Sequence, residues 1–123
     1  MLKQTTYLKE NQPGPLVLSL YGQAIPVAIR LTRAPGGSIS AVDLIDLTDK
    51  TILTRLSIPA PESTELPANA FFLNNWGACF HLAAQLRVQG IVEMENPPLR
   101  MKYVHSTVFA HHLTAYGHRF VIR

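Results

Sequence analysis

The sequence predicts an α+β domain: a mostly antiparallel sheet, a meander of about five to six strands, with one main amphipathic helix over about residues 76–89 packed on a face. Three observations lead there. Between Leu16 and Ile58, short runs rich in Val, Ile, Leu and Thr alternate with turn signals. Only one stretch, NNWGACFHLAAQLRVQG from Asn74 to Gly90, repeats apolar residues at helical spacing. Across 123 residues, apolar side chains make up 47% and charged ones 15%, which suits one compact core and not a disordered chain.

Residues 1–15 read as an irregular lead-in closed by Pro13-Gly14-Pro15, and residues 16–123 as a single domain. LVLSLY (Leu16 to Tyr21) is a first strand, and Gly22-Gln23 turns it into Ile25–Arg33. Pro26 suits the first residues of a strand or an edge, where a missing N–H costs no ladder bond. Ala34-Pro35-Gly36-Gly37 turns the chain into Ile39–Leu47, and Thr48-Asp49-Lys50 returns it as Thr51–Ile58. Pro59–Pro67 is too rich in proline for a helix and reads as an exposed connection, followed by a short strand at Ala70–Leu73.

The helix comes next. Asn74 or Asn75 is the candidate N-cap, and Gly90 fits the C′ position. Cys79, Leu82, Ala83 and Leu86 form the apolar stripe, which Trp76 and Phe80 should widen. His81, Gln85 and Gln89 line the opposite, wet side. Beyond it the sequence predicts Ile91–Met94, a loop at Asn96-Pro97-Pro98, one long strand from Met101 to Ala115, and Gly117 before HRFVIR.

Composition narrows the function classes. No apolar run approaches the roughly 18 residues of a membrane span, and the N-terminus has no apolar signal core. One cysteine cannot close an internal disulfide, so the expected compartment is cytoplasmic. The formal charge of +3 is unevenly placed. All acids lie at or before Glu95, whereas Arg100, Lys102, Arg119, Arg123 and four of the five histidines follow it.

Several segments in this order, AVDLID (41–46), LPANAFFLNNWG (66–77), the helix ending Gln89-Gly90-Ile91-Val92, and HSTVFAHHLTA (105–115), carry a resemblance over about residues 25–115. The pattern resembles a family of small proteins of unknown function carried on plasmids and integrative or conjugative elements. The chain departs from that pattern at Cys79-Phe80, where the family tends to polar residues, and in having Ser106-Thr107 for a Ser-Gly pair. The resemblance implies an accessory role in a mobile element and carries over no catalytic residue.

The chemistry-bearing residues point away from catalysis. Cys79 and His81 stand two apart on a helix, about 200° around it, so they cannot form a nucleophile–base dyad with each other. His111 and His112 face opposite sides of a strand, and His105 and His111 share a face too far apart for one tetrahedron. His112 and His118 could meet only through a bend at Gly117, so no metal site is assigned. Asp43 and Asp46 have opposite parity, Asp49 belongs to a turn, and Glu62 and Glu65 lie in the proline-rich connection. Pro35-Gly36-Gly37 leads into a strand and is no phosphate loop.

The expectation is therefore a non-catalytic binding protein with no cofactor, its partner most naturally another protein. Exposed sheet edges and the Met101–Ala115 strand would be the docking surface, and an edge could also pair with a second copy. The alternative is a nucleic-acid-binding module in the basic, aromatic C-terminal quarter. For either partner the candidate residues are Arg100, Lys102, Tyr103, His112, Arg119 and Arg123. A small metal- or cysteine-dependent enzyme stands third.

Overall fold

A computed structural model describes residues 14–122; the lead-in before Gly14 and Arg123 lie outside the described residues. The fold is α+β with mostly antiparallel pairing, as the patterning predicts, but among the described residues nine strands in two sheets replace a single meander. The first sheet has the order β1 (Leu16–Leu20), β2 (Gln23–Arg33), β3 (Ile39–Asp46), β4 (Thr51–Arg55). The second has the order β5 (Ser57–Ile58), β6 (Ala70–Leu73), β9 (Ser106–Leu113), β7 (Val92–Met94), with β8 (Arg100–Tyr103) also paired to β9.

Two of the first sheet's turns follow directly from the sequence. β1 and β2 join through Tyr21-Gly22, one residue before the expected Gly22-Gln23, with both residues at positive φ, the conformation that matches the twist of a two-residue hairpin. At the β3–β4 turn, the Asp49 carboxylate accepts hydrogen bonds from the Thr51 amide and hydroxyl, the backbone role expected of it.

The chain passes from one sheet to the other without a loop. Leu56 separates β4 from β5; its N–H donates to the Val42 carbonyl (2.8 Å), and its own carbonyl accepts from Asn74 N–H (2.7 Å). The Val42 N–H in turn donates to the Ser57 hydroxyl. β1 and β7 are end strands of the two sheets, and the helix α1 (Ala78–Val88) packs against both. Leu18, Ile29, Val42, Leu44, Leu56, Leu82, Leu86 and Ile91 fill the enclosed core.

The helix ends as its sequence predicts and starts differently. Gly90 has φ 76°, its N–H bonds to Arg87 O, and Ile91 N–H bonds to Leu86 O, which is a Schellman closure with Ile91 and Leu86 both buried. At the other end Gly77, not Asn74 or Asn75, is the cap, and no side chain caps the helix. The Asn74 amide oxygen instead accepts from Trp76 N–H, so it shapes the approach to the helix.

Cys79, Leu82, Ala83 and Leu86 form the buried stripe, but Trp76 precedes the helix and Phe80 is half exposed, so neither widens it. Gln85 does not face open water: its side-chain amide accepts from Ser19 N–H (2.7 Å) and donates to Ser19 O (2.8 Å). Gln89 donates to Val17 O. These two side chains mimic a neighbouring strand and satisfy the outer edge of β1.

The expected long strand from Met101 to Ala115 is a hairpin. β8 and β9 pair from Arg100↔Phe109 to Tyr103↔Ser106, with Val104 and His105 at the tip. Val104 turns at φ 55°, strained for a β-branched residue, and no Gly, Asn, Asp or Pro marks the place. His105 therefore lies in a turn and shares no strand face with His111. At His111 and His112 β9 is paired on both sides, by β6 and by β7, whereas over Ser106–Phe109 its recorded strand partner is β8 alone.

Behind the second sheet, Ile58, Phe72, Val108 and Ala110 form a small second core with Leu66 and Met101 packed on it. The proline-rich connection, mostly exposed as expected, thus anchors itself through Leu66. After β9 the chain folds into a 3-10 turn, Gly117–Phe120, and Val121 makes a parallel bridge to Ile29 of β2.

Candidate binding site

Alternation along β9 places His111 and Phe109 on the face toward α1 and His112 on the opposite face. Directly paired residues share a face, so Phe71 and Leu73 of β6, Met94 of β7, and Arg100 and Lys102 of β8 lie on the α1 side with His111. The short helix does not cover this whole surface. Between it and the sheet lies a cavity of about 250 Å³ lined by Leu73, Asn75, Phe80, Ala83, Arg87, Met94, Phe109 and His111.

His111 is the unusual group in that lining. It is only 3% exposed, and its Nδ1 lies 3.0 Å from the Phe109 carbonyl oxygen. A carbonyl can only accept, so the geometry assigns the hydrogen to Nδ1 and leaves Nε2 as an acceptor. Nε2 is buried and has no hydrogen-bond partner among the described residues. Burial pushes the imidazole pKa below its ordinary value; the Phe109 carbonyl opposes this, nearby Arg87 and His112 reinforce it, and Glu95 opposes it. The side chain is therefore held neutral, with a lone pair that burial denies to bulk water.

A second feature links the approach to α1 with the β8–β9 hairpin. Trp76 and Tyr103 stack with ring centroids 5.6 Å apart, and a shallow pocket runs from them to Val104, His105 and Ser106. The Asn75 amide donates to the Thr107 carbonyl (2.9 Å) and ties the approach to α1 onto the β8–β9 hairpin. Trp76, Tyr103 and Val104 are exposed here, as Phe80 and Met94 are at the cavity.

The six residues nominated from the sequence do not form one surface. Arg100, Lys102 and Tyr103 all lie on β8, Arg100 and Lys102 on the α1 side of the sheet and Tyr103 on the other. His112 instead hydrogen-bonds to the Glu95 carboxylate, with Glu93 3.7 Å away on the other ring nitrogen, so its surroundings are acidic. Arg119 lies in the 3-10 turn after the opposite end of β9, and Arg123 is outside the described residues. Sequence position grouped these cations; the hairpin separates them.

Cys79 is buried, its Sγ 3.2 Å from Thr54 Oγ1 and 3.6 Å from the Arg55 carbonyl, while His81 is exposed. Helical geometry separates them as the sequence predicts. Among the described residues no group of three or more His, Cys, Asp or Glu side chains is placed to hold a metal ion. No helix of the described residues is long and apolar enough to cross a membrane.

Asp43 on β3 is fully buried between Arg30 of β2 (3.2 Å) and Arg55 of β4 (2.8 Å), its direct neighbours in the ladder. The Arg55 hydrogen bond holds its pKa below the ordinary carboxylate value; burial opposes this, and Arg30 adds to it. Both of its oxygens are engaged, so the arrangement is a cross-strand clamp and not an acid–base pair.

In the sequence His111 carries one sign of its role: of two adjacent histidines on a central strand, one must face inward, and only the packing decides which. Compared with protein families, with curated proteins and with solved structures, the chain matches none.

Proposed function

We propose that this protein works by binding another protein, as a non-catalytic accessory factor of a mobile genetic element, and that its working surface is the region around the cavity. The observation that carries this reading is two sets of exposed apolar side chains, Phe80 and Met94 at the cavity and Trp76, Tyr103 and Val104 around the ring stack. Exposed apolar side chains scattered singly are ordinary, but a patch rimmed by polar groups marks an interaction site. Aromatic residues and methionine are the types enriched at such interfaces. The accessory role rests on the LPANAFFLNNWG resemblance alone.

The nucleic-acid alternative keeps Arg100, Lys102 and the Trp76–Tyr103 stack in its favour, but loses His112 to two carboxylates and Arg119 to another part of the fold. Co-purification from the native host at low and high salt, with wild type beside Phe80→Asp, tests both readings. The expected result is a protein that stays bound to wild type at high salt and is lost with Phe80→Asp. Recovery of nucleic acid alone, released as salt rises, would overturn the protein-partner reading.

A further inference from the structure

We infer that the cavity is an anchor socket for one aromatic side chain of an acidic partner segment, a ring carrying an N–H or O–H that donates to His111 Nε2. This rests on the protein-partner reading and names the chemistry of the partner.

Size comes first. At about 250 Å³ the cavity falls below the roughly 300–1,000 Å³ of ordinary small-molecule sites, and it suits a single ring system. Its walls, Leu73, Phe80, Met94 and Phe109, are apolar and suit the faces of that ring. Tryptophan and tyrosine commonly anchor protein interfaces in such pockets.

Polarity comes second. His111 is buried at the cavity, its Nδ1–H is spent on Phe109 O, and Nε2 is an acceptor with no partner among the described residues. A buried acceptor left unpaired is costly, so an occupant that donates to it is favoured over one that cannot. Indole and phenol both supply that donor; a phenylalanine ring does not.

Charge comes third. Arg87 on α1 lies close enough to act on His111, and Arg100 and Lys102 project on the same face of the sheet. All three are exposed, and none forms an ion pair within the described residues. Carboxylates flanking an anchor on this face of the sheet are favoured by these cations.

Capped tripeptides test the three arguments separately, with binding followed by NMR shifts of the full chain. Asp-Trp-Asp is compared with Lys-Trp-Lys and with an isostere in which benzothienylalanine replaces Trp and so removes the N–H. Asp-Trp-Asp is expected to shift the resonances of Phe80, Met94 and Phe109. The isostere should bind about fivefold to tenfold more weakly, the value of one hydrogen bond. Lys-Trp-Lys should be weaker again, and only the acidic peptide should lose affinity as salt rises. His111→Phe should make Trp and its isostere equal.

Equal affinity of Trp and isostere for the wild type overturns the His111 contact, and needs no variant to fold. Absence of cavity shifts with Asp-Trp-Asp up to about 10 mM overturns the socket. Binding of free indole, stronger than of benzothiophene, without any preference for the acidic peptide overturns the protein-partner reading and leaves the His111 contact standing.

Discussion

A Cβ placed on Gly117 would lie 2.1 Å from the carbonyl oxygen of Ile91, a backbone atom that cannot swing away. Gly117 sits there because Thr114 pulls the chain down: its hydroxyl donates to Gly90 O and accepts from Gly117 N–H. The 3-10 turn is thus docked on the Schellman closure of α1. Gly117→Ala should cost about 2–3 kcal/mol through overpacking, read as a lower urea midpoint with an unchanged slope. A cost under about 0.5 kcal/mol would mean that the turn is free to lift. The sequence showed Gly117 as a bend and no more, because only tertiary contact puts Ile91 against it.

At the scale of the element, α1 has two jobs on two faces. Its buried stripe fills the core, while Gln85 and Gln89 occupy the hydrogen-bonding edge of β1. Helical periodicity identifies the first face with no knowledge of the fold. The second face looks like an ordinary wet side, since glutamine carries no sign of whether water or a strand edge receives it. Gln85→Leu removes both bonds to Ser19 and should cost about 1–2 kcal/mol. Hydrogen exchange at the Ser19 amide should rise clearly above that at Leu18. Unchanged exchange would show that the edge needs no cover. The β8–β9 hairpin illustrates the same limit: strand character was legible in Met101–Ala115, but the reversal at Val104 carries none of the usual turn residues.

For the whole molecule, two buried groups should make folding weaken in acid in separate windows. His111 has a depressed pKa, so below its ordinary value near 6.5 the unfolded chain takes up a proton that the fold resists. Stability should therefore fall as pH drops from about 6.5 to the folded-state value, then level off. Arg87, His112 and Glu95 are the charged groups acting on it. Asp43 is depressed by Arg55 first, then Arg30, so its contribution is present above about 3.9 and lost as pH falls through the folded value. Urea midpoints measured from pH 8 to 3 should show the first step vanish in His111→Phe and the second in Asp43→Asn. A first step that persists in His111→Phe would assign it to another group.

The sequence by itself determined the class of fold, the helix of Ala78–Val88 with its core stripe and its Gly90 end, the first three hairpin strands, the buried placement of Cys79, and the opposite facing of His111 and His112. All of these follow from periodicity or turn chemistry, which act over a few neighbouring residues. The tertiary structure alone decided how the sheet divides in two at Leu56, which edges are covered, which of the C-terminal cations stand together, and that His111 lines a cavity. Those outcomes depend on contacts between residues tens of positions apart, set by how the two sheets and the helix close around one core.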